Sequence, residues 1–192
     1  MKEESSMIEV SVNGIFLTQS QASGIILKEK NGERTLPIVI GEYEAQSIAL
    51  GLEKIKPPRP ITHDLTINLL ESCGVKIDSV MITELKNNTY YAVIRLSKSS
   101  KYWDVDARPS DAIAMAVRSL IPIYVEEEVM KLGSYKPGEK GADADVKSIY
   151  SAADELEKLK TELKKAVDTE DYEKAASLRD KIRDMESGSF KI

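Results

Sequence analysis

Along residues 7–18, Ile8, Val10 and Val12 alternate with Glu9, Ser11 and Asn13, the period-two pattern of a strand with one buried face. From Gly24 to Ile40 the runs Ile25-Ile26-Leu27 and Leu36-Pro37-Ile38-Val39-Ile40 flank Asn31-Gly32, a pair suited to a tight turn, and predict a hairpin. Pro37 has no amide hydrogen, so its strand belongs at a sheet edge or a bulge. A helix is predicted from Gly41-Glu42-Tyr43-Glu44-Ala45, whose acids suit the positive end of a helix dipole, and Lys56-Pro57-Pro58-Arg59-Pro60 ends it. Thr62 is the expected N-cap of the next helix. Ile61, Leu65, Leu69, Leu70 and Cys73 form its apolar side, with Cys73 read as a small core residue, and Gly74 is the stop. A second hairpin, Val75–Leu85 with Thr89–Leu96, turns at Asn87-Asn88. Then come a strand at Tyr102–Asp106, a helix opened by Pro109 with Ile113, Ala116, Val117 and Leu120 on one face, and a short strand at Ile121–Val125.

Hairpin, strand and acid-opened helix occur twice in this order. Ile38, Ile40, Glu44-Ala45 and Ala49 match Val105, Ala107, Asp111-Ala112 and Ala116 at one constant spacing, which suggests a duplicated unit with Glu44 and Asp111 at equivalent helix starts. The expected class is α+β, a mixed or antiparallel sheet carrying helices. A domain over 7–135 is followed by a charged, Gly- and Pro-containing linker over 136–150. Residues 151–187 are rich in Ala, Glu, Lys and Leu with helical spacing. Leu156, Leu159, Leu163 and Val167 line one helix, and Tyr172, Ala175, Ala176, Leu178 and Ile182 line a second, predicting an antiparallel helical hairpin too small to stand without a partner surface.

Composition narrows the function classes. The chain has 192 residues and a net charge of −5 from 27 basic and 32 acidic residues, so it lacks the basic excess typical of nucleic-acid binders. One cysteine excludes an internal disulfide and any multi-cysteine metal site. No apolar run reaches membrane-spanning length, and the N-terminus has no apolar stretch of the kind a signal peptide carries. A cytoplasmic protein with no membrane association is expected. A single histidine, His63, excludes two-histidine ribonuclease chemistry.

Two resemblances rest on specific residues. Leu36-Pro37-Ile38-Val39-Ile40-Gly41 with Glu44-Ala45, then Arg59-Pro60-Ile61-Thr62-His63-Asp64-Leu65, then Asp106-Ala107-Arg108-Pro109-Ser110-Asp111-Ala112-Ile113-Ala114 make the front of the chain resemble the bifunctional nuclease family of bacteria and plants. Leu159, Leu163 and Ala166-Val167, then Glu170 through Ala176, then Leu178-Arg179-Asp180-Lys181-Ile182 make the tail resemble the UVR helical hairpin of the UvrB and UvrC excision-repair subunits. The first resemblance implies hydrolysis of DNA and RNA phosphodiester bonds, and nucleic acid as a partner of low specificity. The second implies association with a protein partner through 151–187, or a homo-oligomer. It does not imply a repair enzyme.

Given that reading, hard oxygen ligands suit Mg²⁺ or Mn²⁺, and no organic cofactor is expected. Asp106, Asp111 and Glu44 are the candidate metal ligands, and Asp106, Asp111 and His63 the candidate catalytic groups. Arg108, Arg59 and Thr62 are candidates for phosphate binding, Thr62 through the open amides of a helix start. Each has a plainer alternative. Asp111 suits a helix start and a pair with Arg108, Glu44 suits the helix dipole, and His63 can be structural. The competing function is a non-catalytic regulatory or scaffold oligomer that recruits a partner through its tail.

Overall fold

The computed structural model describes residues 6–17, 23–137, 158–169 and 171–186. In chain order the elements are β1 (Met7–Leu17), β2 (Ser23–Glu29), β3 (Thr35–Ile40), α1 (Glu42–Leu52), α2 (Thr62–Ser72), β4 (Lys76–Lys86), β5 (Thr89–Lys98), β6 (Lys101–Ala107), α3 (Pro109–Ser119), β7 (Ile123–Glu126) and α4 (Glu127–Gly133). Two tail helices follow, α5 over 158–168 and α6 (Tyr172–Glu186). The expected linker from 138 onward, Leu156 and Glu170 lie outside the described residues.

One seven-stranded sheet has the order β3-β2-β1-β7-β4-β5-β6. β7 runs antiparallel to β1 and parallel to β4, so the sheet is mixed and β1 and β4 point in opposite directions. Each half is three antiparallel strands followed by a helix, β1-β2-β3-α1 and β4-β5-β6-α3, arranged about β7 as if by a local two-fold axis. The duplicated unit suggested by the sequence is thus the architecture of the domain. The two repeat-matched strands, β3 and β6, form its two edges, and Pro37 sits on an edge as its chemistry demands.

The core lies on one face of the sheet. Val10, Ile25, Leu27, Leu36, Ile38, Val80, Ile82, Ala92, Ile94, Ile123 and Val125 meet Ile48 of α1, Ile113 of α3 and Val129 and Met130 of α4 there. Burying a large aliphatic side chain stabilises a fold by about 1.5–3 kcal/mol, so this continuous cluster is the main support of both halves. Gly133, ending α4, would bring an added methyl carbon to 2.8 Å from Leu36 of β3 and 2.6 Å from the Tyr90 hydroxyl of β5. The sheet therefore curls until strands of both halves reach the same helix. Burial there pushes the Tyr90 phenol up to about 12.

Several expectations change. The β2–β3 connection is a five-residue loop without positive φ at Asn31 or Gly32, closed by Arg34 against Glu29 and Glu127. The Asn87-Asn88 turn does take positive φ at both residues, and so does the Ser99-Ser100 turn that joins β5 to β6. Ile61, not Thr62, is the N-cap of α2, and the Asp64 carboxylate accepts the Ile61 amide at 3.2 Å. Leu65, Leu69 and Cys73 are exposed, while Ile67 and Leu70 face the core. Leu120 leaves the apolar face of α3 as its exposed left-handed C-cap. In the tail, Ala166, Ala175 and Leu178 pack with Leu159 and Leu163 in a separate small core, whereas Val167, Tyr172 and Ala176 are exposed. The two helices fit a hairpin, turned where the Asp171 amide reaches Ala166 O at 2.8 Å.

Candidate functional site at the junction of three helices

The N-termini of α1, α2 and α3 bring their polar side chains to one corner. In the repeat, Gly41 and Arg108 are matching N-caps and Glu44 and Asp111 matching first-turn acids. Pro109 occupies the first turn of α3, where a missing amide hydrogen costs nothing. Arg108, held extended before Pro109, turns its guanidinium across both acids. Nε donates to Asp111 Oδ2 at 2.8 Å, one terminal nitrogen donates to Asp111 Oδ1 at 3.1 Å, and the other to Glu44 Oε1 at 3.1 Å. The two equivalent carboxylates of the duplicated unit thus share one cation, which remains 66% exposed.

His63 reaches the same carboxylate from the first turn of α2. Its Nε2 lies 3.2 Å from Asp111 Oδ1 and its Nδ1 lies 2.9 Å from Ser47 Oγ, with the side chain 15% exposed. Arg118, only 9% exposed, donates to Ser47 Oγ at 3.1 Å, Ser47 O at 2.9 Å, Ala114 O at 2.8 Å and Asp64 Oδ1 at 2.9 Å. A guanidinium only donates, so Ser47 Oγ accepts from Arg118 and its own hydrogen is free for His63 Nδ1. With Nδ1 accepting, Nε2 carries the ring hydrogen and donates it to Asp111. Hydrogen bonds therefore run unbroken from Glu44 through Arg108, Asp111, His63, Ser47 and Arg118 to Asp64.

Burial opposes ionisation of Asp111, but the hydrogen bonds from Arg108 and His63 outweigh it and lower its pKa. The Asp111 hydrogen bonds in turn raise the Arg108 pKa, with Glu44 adding to the effect. The corner holds its carboxylate ionised and its guanidinium charged.

Of the residues singled out from sequence, His63, Asp111, Arg108 and Glu44 converge. Thr62 is exposed beside them as the first residue of α2, and Arg59 is exposed in the connector before it. Asp106 takes no part in the hydrogen-bonded chain. Alternation along β6 turns it to the face of Asp104 and Tyr102, opposite Ala107, which packs on the core. Among the described residues no three His, Cys, Asp or Glu side chains converge as a metal site requires, and Arg108 already stands between Glu44 and Asp111. Ser47 and Arg118 escaped the sequence reading. Their signal was helical spacing, since Ser47 is three residues after Glu44 and Arg118 seven after Asp111, each on the face of its acid.

The region that builds this corner matches known proteins. A bifunctional nuclease domain model matches residues 25–137, and a UvrB/UvrC motif model matches 153–187. An uncharacterised protein of Mycobacterium tuberculosis is 42% identical over 156 residues, which cover 80% of this chain and 92% of that protein. Bifunctional nuclease 1 of Arabidopsis thaliana is 28% identical over 177 residues, covering 82% of this chain and 54% of the plant protein. Bifunctional nuclease 1 of Oryza sativa subsp. indica is 28% identical over 137 residues, covering 69% and 40%. The plant proteins therefore extend well beyond the shared region. With its front domain matched over most of its length, the chain belongs to the bifunctional nuclease domain family and carries a UVR motif behind that domain.

Proposed function

We propose that the chain hydrolyses DNA and RNA phosphodiester bonds at the three-helix corner, with the UVR hairpin serving to bind a protein partner. The observation that carries this reading is the sharing of Asp111 between an exposed guanidinium and the one histidine of the chain. A substrate phosphate competes with Glu44 and Asp111 for Arg108, which suits bidentate phosphate contact. The attacking water takes the place of the Ser47 hydroxyl at Nδ1, the ring nitrogen that carries the lone pair, and gives its proton there. Asp111, accepting from Nε2, orients the ring and counters the imidazolium that forms. The P–O bond to the leaving group breaks as the new P–O bond forms, and the same proton is returned to the leaving oxygen.

A Mg²⁺ or Mn²⁺ ion would bind Glu44 and Asp111 only by displacing Arg108. The second reading, a non-catalytic scaffold, is favoured by the saturation of the corner. Both ring nitrogens of His63 and both oxygens of Asp111 already have partners within the chain.

The test is cleavage of single- and double-stranded DNA and RNA by the full chain in Mg²⁺, Mn²⁺ or EDTA, beside His63→Gln, Asp111→Asn and Arg108→Gln. Losses of about 10²–10⁴-fold in His63→Gln and Asp111→Asn are expected, the usual contribution of a positioned proton-transfer group. Arg108→Gln weakens substrate binding and reduces its salt dependence. Activity that ignores all three substitutions sinks the proposed site. A wild-type chain that is inert with every metal supports the scaffold.

A further inference from the structure

We propose that the free edge of β6 is a self-complementary interface at which two copies of the chain join their sheets. The two edges of the sheet occupy equivalent places in the duplicated fold, yet only one is guarded. β3 carries Pro37 and is bridged by Tyr135, whose amide donates to Thr35 O at 2.9 Å and whose carbonyl accepts from the Thr35 amide at 2.8 Å. β6 pairs with β5 over its whole length, and its outer side has no main-chain partner among the described residues. Unguarded edges of this kind are templates for strand addition. This one is also apolar, with Trp103 45% and Val105 44% exposed on the helix-bearing side of the sheet.

The order of side chains selects a second copy as the occupant and fixes its register. Paired antiparallel to itself about Asp104, β6 sets Trp103 opposite Val105 on one face, twice over by symmetry. On the other face Tyr102 lies opposite Asp106, where a phenol can donate to a carboxylate. Asp104 meets its own copy, and each Asp104 is already held by two 2.8 Å hydrogen bonds from Arg95 of its own chain. Centring on Val105 instead would set Asp104 opposite Asp106 twice over by symmetry, two like-charge pairs where the Asp104 register has one. Centring on Trp103 would set Val105 opposite Lys101. Slipping by one residue would join the apolar face of one copy to the polar face of the other.

A two-fold axis perpendicular to the sheet through Asp104 puts the helices of both copies on the same side. The seam then widens over α2, the one helix of the sheet domain with no buried residue. The Cys73 carbonyl at its end accepts from Lys98 Nζ of β5 at 2.7 Å, which fixes α2 beside this edge with Leu65 and Leu69 exposed. This accounts for an apolar helix side that the monomer leaves uncovered.

The proposal is tested in the full chain with Cys73→Ser as background. Asp104→Cys should give a disulfide-linked dimer on mild oxidation. Lys101→Cys should link at least tenfold less, because its two copies lie about six residues, or about 20 Å, apart along the paired strands. Trp103→Asp should weaken dimerisation at least tenfold by sedimentation, with an unchanged circular-dichroism spectrum. Three results would each overturn the proposal: a monomer at tens of micromolar, linking at position 101 equal to that at 104, or a dimer that survives Trp103→Asp without linking at 104. The last would place self-association in the tail.

Discussion

Asp111 accepts from Arg108 on one side and His63 on the other, and its ionised form is the one both partners hold. Because its pKa is lowered in the folded chain, the unfolded chain binds the proton more readily. Its stabilisation is thus present above the ordinary carboxylate range and is lost as pH falls below about 4, toward the folded value. Asp111→Asn should therefore be less stable than the wild type at pH 7, with the gap closing below about pH 4. Denaturant midpoints of both proteins between pH 7 and pH 2 measure this, and parallel curves would show that the carboxylate contributes nothing. The sequence exposed Asp111, Arg108 and Glu44 because first-turn acids and a pre-proline arginine are local features. It concealed that they meet, and it concealed Arg118. That side chain looks like any cation in the last turn of a helix until three helices are seen to surround it.

Helix α1 packs closely on α3 at Gly51. An added methyl carbon there would stand 2.5 Å from Val117 Cγ2, a stiff β-branched side chain, and 3.2 Å from a terminal nitrogen of Arg118. In an exposed helix, glycine to alanine is worth about 0.5–1 kcal/mol of added stability. Here the sign reverses, and Gly51→Ala should cost about 1–3 kcal/mol as the helices are forced apart. Adding Val117→Ala should recover part of that loss, and chemical denaturation of the single and double variants checks both statements. Strands were legible wherever alternation or an Asn-Asn turn marked them. The Ser99-Ser100 turn and α4 were not. Neither serine advertises positive φ, and seven residues with two buried side chains, Val129 and Met130, carry too little periodicity to separate from a linker. For α2 the stripe read from sequence holds Leu70, which packs on the core, but also Leu65, Leu69 and Cys73, which are exposed. It passes over Ile67, because a stripe does not say what meets it.

The class of the whole molecule and its repeat were readable because matched apolar and acidic positions recur through each half. The place of β7 was not, since a four-residue strand has no local feature that selects its neighbours. Yet β7 decides how the domain holds together. It comes from the end of the second half and enters the sheet between β1 and β4, pairing with both. α4, directly after it, buries Val129 and Met130 in the core shared with β2 and β3. A fragment of residues 1–56 would lose that strand and helix and expose β1 as a second bare edge. At under 60 residues it would also bury too little surface to offset its chain entropy. Residues 57–137 would keep β7 but lose its β1 partner and the α1 face against which α3 packs. Neither fragment should show dispersed amide resonances alone, and mixing the two should restore the spectrum of the intact domain. Native-like dispersion in either isolated fragment would mean that the halves are independent folding units placed side by side. The core instead joins them through β7, and the intact sheet domain should unfold in one cooperative transition.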